Sequence, residues 1–454
     1  MRLLTPEIII EKDDPFKNDR LNRKPFAESL MSLITHIEDN LVLSLDGQWG
    51  DGKTTFVKMW QVLLENNGMK TIYFDAFTND YFDDPFVALV GNITSLLEKA
   101  NPKRKQMQEL KAKASKVGVQ LLSLGARVGI KAATLGILKD TDIDQLKGVV
   151  GDIASSTSNF ASKIIEEKLN TYKGDVDAIK EFKDKLQEIA EETFVKNKKP
   201  VVFIVDELDR CKPIYALNLM EKIKHLFSVK HIVFLLVMHK EQLEQSVRCL
   251  YGPNIDAGTY LQKFINIECK LPKNEEDRFE SDYQKYCTTL LKLHELDIGD
   301  NPRYLQEYME LFARGLKFTL RDLQRCYTNL VLFYSATRNM FKNDSLVALL
   351  VALKVKKPYL FEALKSRTLS LQELLDKLGF DRLYFKDEDV HRIDILKRFL
   401  RVCLLPTEEF EKLDEQSDEK GTWASWSFNF GMSGRADVLP YLCRQFELFK
   451  FPDN

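Results

Sequence analysis

LVLSLDGQWGDGKTT, residues 41–55, is the stretch on which the fold turns. Leu41–Asp46 is an apolar run of strand length. Gly47, Gly50, Gly52, Lys53 and Thr54 follow as G-x-x-G-x-G-K-T, which fits a phosphate-binding loop set between a strand and a helix. Glycines there let backbone N–H groups turn inward around a phosphate with no Cβ in the way. Gln48, Trp49, Asp51 and Thr55 fill the rest of this nucleotide cradle. Lys53 is the residue to reach β- and γ-phosphates, and Thr54 the hydroxyl to hold Mg²⁺. A helix opening near Lys53 aims its positive end at the same charge, and Phe56–Leu64 (FVKMWQVLL) continues it as an amphipathic pattern.

Working outward, Arg23–Ile37 reads as a helix with Phe26, Leu30, Leu33 and Ile34 on one face. It either lies near a nucleotide base or simply packs. Downstream, Gly68 is a stop and Thr71–Phe77 a second strand, with Asp75 at the end where a parallel sheet holds its ligand. Asp80, Asp83 and Asp84 lack the glycine and bidentate glutamate of a calcium loop, which favours a solvated turn.

The loop needs an acidic partner. Val201–Val205 (VVFIV) reads as a strand buried on both faces, placed next to the phosphate-loop strand, and it runs into Asp206-Glu207-Leu208-Asp209-Arg210. Asp206 is the candidate for the Mg²⁺ shell and Glu207 for polarising an attacking water. Arg210 is either an arginine finger for a neighbouring subunit or half of an ion pair with Asp209 or another carboxylate. His231–Met238 (HIVFLLVM) is another buried strand. His239 at its tip is a γ-phosphate sensor or a structural histidine. Tyr260–Cys269 contains a last short strand, and Pro272 ends the core. Thr319 is a candidate cap for a helix opening with Leu320-Arg321-Asp322, which would make Arg321 a second sensor.

These elements predict an α/β fold: a parallel five-stranded sheet flanked by helices, from residues 1–99 and 196–272. A helical insertion at 100–195, a helical lid at 273–345 and a mostly helical, aromatic-rich region at 346–454 complete it. The insertion begins with Lys103, Arg104, Lys105, Lys111, Lys113 and Lys116, countered locally by Glu109. Val117–Leu138 is apolar but carries Arg127 and Lys131 in its middle, which argues against a spanning helix. Three readings stay open: a hairpin packed on the core, a surface for self-assembly or a protein partner, and a peripheral membrane contact. In the tail, Trp423, Trp426, Phe428, Phe430, Phe446, Phe449 and Phe451 read as core or as a small β-like cap or docking surface.

Composition fits this. Of 454 residues, 44% are hydrophobic and 30% charged, as in a globular protein. A net charge of -2 gives no indication of nucleic-acid binding. Seven scattered cysteines, with no C-x-x-C pair, point to a reducing compartment and away from zinc. The start, MRLLTPEIIIEKDD, turns acidic too soon for a signal peptide, and a cytoplasmic protein is expected.

Five stretches together resemble the KAP family of P-loop NTPases: DPFKNDRLNRKPFAESL (14–30), GQWGDGKTTF (47–56), YFDAFTNDYFDDPFVAL (73–89), VVFIVDELDRCKP (201–213) and YLQKFINIECKLP (260–272). The resemblance implies an ASCE-type sheet with a helical lid, ATP hydrolysis with Mg²⁺, and an insertion between the two nucleotide motifs. It also brings an association with defence against phage. This chain departs from the family at Glu207, where Asp is frequent, and at His239, where Asp is usual. The leading function is an ATPase that drives a conformational or oligomeric switch; the alternative is an ATP-dependent scaffold with little hydrolysis. No N-K-x-D guanine-reading motif is present, which disfavours a GTPase.

Overall fold

The structure, a computed structural model, describes residues 2–6, 8–37, 39–81, 84–100, 105–117, 157–273, 281–296, 298, 302–337, 342–379, 387–430 and 434–447. Five strands form one parallel sheet: β1 (Leu41–Asp46), β2 (Lys70–Asp75), β3 (Val201–Asp206), β4 (Ile232–Met238) and β5 (Ile267–Lys270). Their order is β2-β3-β4-β1-β5. This corrects the expectation that β3 lies next to β1. β4 separates them, with Leu41 opposite Val233 and Val201 opposite Ile232. VVFIV and HIVFLLVM are equally apolar, so neither run says which takes the centre; β4 does, and all seven of its residues are buried.

β4 shows why the sheet needs cover on both faces. Val233, Leu235 and Val237 pack with Leu43, Leu45, Ile204, Phe56 and Trp60 on one side. Phe234, Leu236 and Met238 pack with Phe203 and Val205 on the other. Helices Lys24–Thr35 and Lys53–Asn66 cover the first face. The Trp60 indole N–H donates to the Ala27 carbonyl at 3.0 Å, tying these two helices together.

The second face is covered by helices Pro85–Ala100, Pro213–Leu226 and Lys240–Tyr251, and by the described ends of the insertion. These ends are helix 105–117 and helix Thr157–Asn197. Leu110, Ala114 and Val117 from the former meet the core with Phe182, Leu186 and Ile189 from the latter. Polar contacts align the two helices: Lys185 Nζ lies 2.8 Å from Glu109, and Gln106 donates to Glu192 at 2.7 Å. Glu181 faces Lys113 and Lys116 at 3.7 and 3.8 Å, so part of the basic run is neutralised from across the insertion. Lys103, Arg104 and residues 118–156, with Arg127 and Lys131, lie outside the described residues. Among the described residues no helix is long and apolar enough to cross a membrane.

Phe182 anchors the insertion. Its ring is fully buried, with centroids 5.3 Å from Phe86 and 5.6 Å from Phe227. Phe182→Ala should cost about 3–5 kcal/mol of stability, the range for emptying a buried aromatic site. Urea unfolding checks this; an unchanged midpoint would mean that the insertion helix does not dock here.

Beyond β5 the chain is helical. One apolar core runs from Tyr283 to Phe446 and crosses the line drawn between the lid and the C-terminal region at residue 345. Helix Asp344–Lys356 lies at its centre, buried continuously from Ser345 to Leu353, as a helix apolar on all sides must be. The tail is helical as the mostly helical C-terminal region predicts, and its described aromatics belong to helices and not to a β-like cap. Trp423, Trp426 and Phe428 fall on helix Asp418–Phe430. The three-residue step from Trp423 to Trp426 is a helical one, and Trp426 packs on Phe399 at 5.4 Å. Phe446 stacks on Phe333 at 4.6 Å, while Phe428 remains exposed. Phe449 and Phe451 lie outside the described residues.

Candidate functional site

The phosphate loop adopts the backbone its glycines permit. Gly50 and Gly52 have φ of +91° and +83°, and Gly52 is the left-handed N-cap of helix Lys53–Asn66. Lys53 Nζ bonds the carbonyls of Gly47 and Gln48 at 2.5 and 3.2 Å, which curls its side chain over the loop. Burial lowers the Lys53 pKa, while Asp209, Asp51, Asp206 and Asp46 pull it back up.

One cleft gathers most of the residues singled out in the sequence. Gln48, Trp49, Gly50, Gly52, Lys53, Thr54 and Thr55 line it from the loop, Asp206, Glu207 and Arg210 from the end of β3, and Arg321 from the lid. Asn18, Asp19, Arg20, Leu21 and Arg23 of the entry segment line it too, with Met59, Tyr286 and Gln324.

Two predicted nucleotide residues lie outside this lining, Gly47 and Asp51. Asp51 is almost fully buried. Its carboxylate accepts the Gln48 N–H at 2.8 Å and pairs with Lys273 at 2.9 Å. Its carbonyl accepts from the Arg23 guanidinium at 3.0 Å. Asp51 therefore fixes the shape of the loop and joins it to the entry segment and to the linker after β5. Composition gave no sign of this, because both cations are distant in sequence.

Asp206 is buried at the end of β3 and receives two donors, Tyr73 OH at 2.9 Å and the Glu207 N–H at 2.8 Å, with the Thr54 hydroxyl close by. Burial raises its pKa and these hydrogen bonds oppose the rise. Tyr73 was missed in the sequence; it lies on β2 opposite Ile204, two residues short of the Asp75–Asp206 register pair. Asp75 itself accepts the Thr78 N–H at 2.8 Å and shapes its own turn. Asp80 bonds the Lys212 N–H at 3.0 Å and Asp84 the Phe86 N–H at 2.8 Å, so these acids hold the backbone; Asp83 lies outside the described residues.

Glu207 has a left-handed φ of +60°. Burial raises its pKa; Arg210 opposes that, and Asp206, Asp75 and Asp209 add to it. Arg210 pairs with Glu207 of its own chain at 2.9 Å and not with Asp209. Asp209 instead accepts the Trp49 indole N–H. His239 is not in the cleft lining. Its ring packs edge-on against Trp49, 5.7 Å between centroids, and Trp49 does line the cleft.

Thr319 caps helix Leu320–Ala336 in a capping box: its side chain accepts the Asp322 N–H at 3.2 Å and Asp322 accepts the Thr319 N–H at 3.0 Å. This sets the Arg321 N–H on the Gly50 carbonyl at 3.2 Å, joining the lid to the loop.

The donor set fits Mg²⁺. Thr54 and Asp206 lie side by side at the mouth of the phosphate cradle. Among the described residues no group of three or more His, Cys, Asp or Glu could hold a metal by itself. One hydroxyl and one carboxylate, with phosphate oxygens and water, is how Mg²⁺ is usually bound.

A glycine cradle between β1 and its helix, beside an acidic strand end in a parallel sheet of this order, defines a P-loop NTPase domain. The model of the KAP family P-loop domain matches residues 23–337, and the chain belongs to that family. It is 27% identical over 172 residues to an uncharacterized protein of Methanocaldococcus jannaschii, covering 37% of this chain and 88% of that one. It is 23% identical over 369 residues to the phage T7 exclusion protein of Escherichia coli strain K12, covering 76% of this chain and 45% of the relative. Among solved structures it is similar to the Aeropyrum pernix ORC2 protein in its ADP form, with 11% identity, TM-score 0.35 and coverage of 98% and 96%. Cdc6p of Pyrobaculum aerophilum gives 12% identity, TM-score 0.37 and coverage of 98% and 97%.

Proposed function

We propose that the protein hydrolyses ATP with Mg²⁺ and uses the cycle to switch the lid. The observation that carries this is the meeting of Lys53, Thr54, Asp206 and Glu207 in one cleft. Lys53 and the loop N–H groups bind the phosphates. Thr54 and Asp206 would hold Mg²⁺, which when bound draws charge from phosphate oxygens. Glu207 takes a proton from the attacking water. Arg321 and its bond to Gly50 give the lid a direct connection to the loop.

A second reading, an ATP-dependent scaffold with little hydrolysis, is favoured by the Glu207–Arg210 ion pair, which occupies the candidate base. Self-association or a protein partner would use residues 100–195 or the C-terminal region, where Phe428 is 88% exposed. Similarity to the phage T7 exclusion protein supports a role in defence against phage.

Phosphate release by the full chain, with and without Mg²⁺, tests the reading. Mg²⁺-dependent release that excess GTP does not suppress is expected. ATP binding without release, at any protein concentration, would select the scaffold, and competition by GTP would overturn the assignment to ATP.

A further inference from the structure

We propose that Arg210 is a positioning residue that engages Glu207 within the same chain and restrains hydrolysis until the pair opens. This rests on the reading of Glu207 as the base.

The backbone builds the pair. Leu208–Arg210 is a single tight turn, in which side chains three residues apart lie over one another. That places the Arg210 guanidinium 2.9 Å from the Glu207 carboxylate. The turn is held at both ends: the Arg210 N–H donates to the Glu207 carbonyl at 3.1 Å, and the Glu207 N–H to Asp206 Oδ1 at 2.8 Å. A left-handed backbone is disfavoured at a non-glycine residue, so this conformation is imposed by its surroundings. Both side chains line the cleft that also holds Lys53 and Thr54.

The consequence is chemical. The bond to the guanidinium takes up a carboxylate lone pair that would otherwise accept the proton of water, and it holds that oxygen turned toward Arg210. A finger acting on a neighbour would have to direct its guanidinium away from its own cleft. Here it is turned into that cleft. Arg210 is about a third exposed and Glu207 less, so the pair is screened enough to open.

The test compares steady-state phosphate release by the wild-type chain, Arg210→Ala, Arg210→Lys and Glu207→Gln. Arg210→Ala should raise kcat about two- to fivefold, the release expected from opening a partly exposed ion pair, with KM within about twofold. Arg210→Lys, whose ammonium still pairs, should stay near the wild-type rate. A fall in kcat on Arg210→Ala would make the arginine a catalytic finger and overturn the proposal, as would an unchanged rate or the absence of release from both proteins. Arg210→Gln, which keeps the side-chain length, gives the same reading should the alanine variant melt early. Failure of the underlying reading looks different: Glu207→Gln would then hydrolyse ATP at the wild-type rate. A silent Glu207→Gln with no gain in Arg210→Ala sinks the restraint alone.

Discussion

Gly50→Ala is expected to lose ATP binding about a hundredfold, about 2.7 kcal/mol. A Cβ at Gly50 would stand 2.6 Å from Arg321 Cβ and 2.9 Å from Thr319 Oγ1, and φ there is +91°. The left-handed backbone alone costs alanine about 1 kcal/mol. The contact with Arg321 is worse, because it is made by a Cβ fixed to the backbone of a capped helix start and cannot swing aside as a side-chain end would. Relief therefore comes from the loop, whose N–H groups then leave the phosphate. Two other glycines separate the causes. Gly47→Ala brings its Cβ no nearer than 3.4 Å to any neighbour and has no positive φ, so binding should hold. Gly68→Ala meets nothing within 4 Å at φ +76° and should cost about 1 kcal/mol of stability with no change in binding. Isothermal titration with ATP, beside melts of all three, checks this. Equal losses at Gly47 and Gly50 would refute the crowding argument.

Much of the core was legible because its signals are local. The loop glycines, the apolar runs of β1, β3 and β4, and the Thr319 cap each lie within about ten residues, and the structure has all of them. What stayed hidden depends on chain segments meeting across long separations. The place of β4 between β1 and β3 is one case, since two equally apolar strands carry no label of position. Asp51 is another: its acid was read with the loop, but Lys273 and Arg23 decide which way it faces. Trp49 matches the family's loop, but its contacts with Asp209 and His239 join segments far apart in the chain. The C-terminal region is helical as expected, and of the alternatives open for its aromatics the β-like cap falls away at Trp423 and Trp426, whose three-residue spacing is that of a helix.

Glu207→Gln is expected to bind ATP as the wild type does and to lose about a hundred- to ten-thousandfold in turnover, the range for removing a general base. The exchange is a mild one for the fold. Glutamine has nearly the same shape and its carbonyl can still accept from Arg210, so the ion pair at 2.9 Å becomes a neutral hydrogen bond. The partly exposed pair contributes little to stability, and the melting temperature should move by less than a few degrees. The φ of +60° is set by the turn and persists. What the amide lacks is the ability to take a proton, so the loss falls on kcat with KM unchanged. Asp206→Asn provides the contrast. Its buried carboxylate is where Tyr73 and the Glu207 N–H converge beside Thr54, and an amide there would weaken the proposed Mg²⁺ site. Binding and turnover should then both fall, and raised Mg²⁺ should restore part of the binding. Single-turnover phosphate release with ATP in hand on the protein separates the two variants: slow release from a stable complex for Glu207→Gln, early loss of nucleotide for Asp206→Asn. A Glu207→Gln protein that turns over normally would mean that water is activated from elsewhere, and Glu207 would keep only its role in the turn.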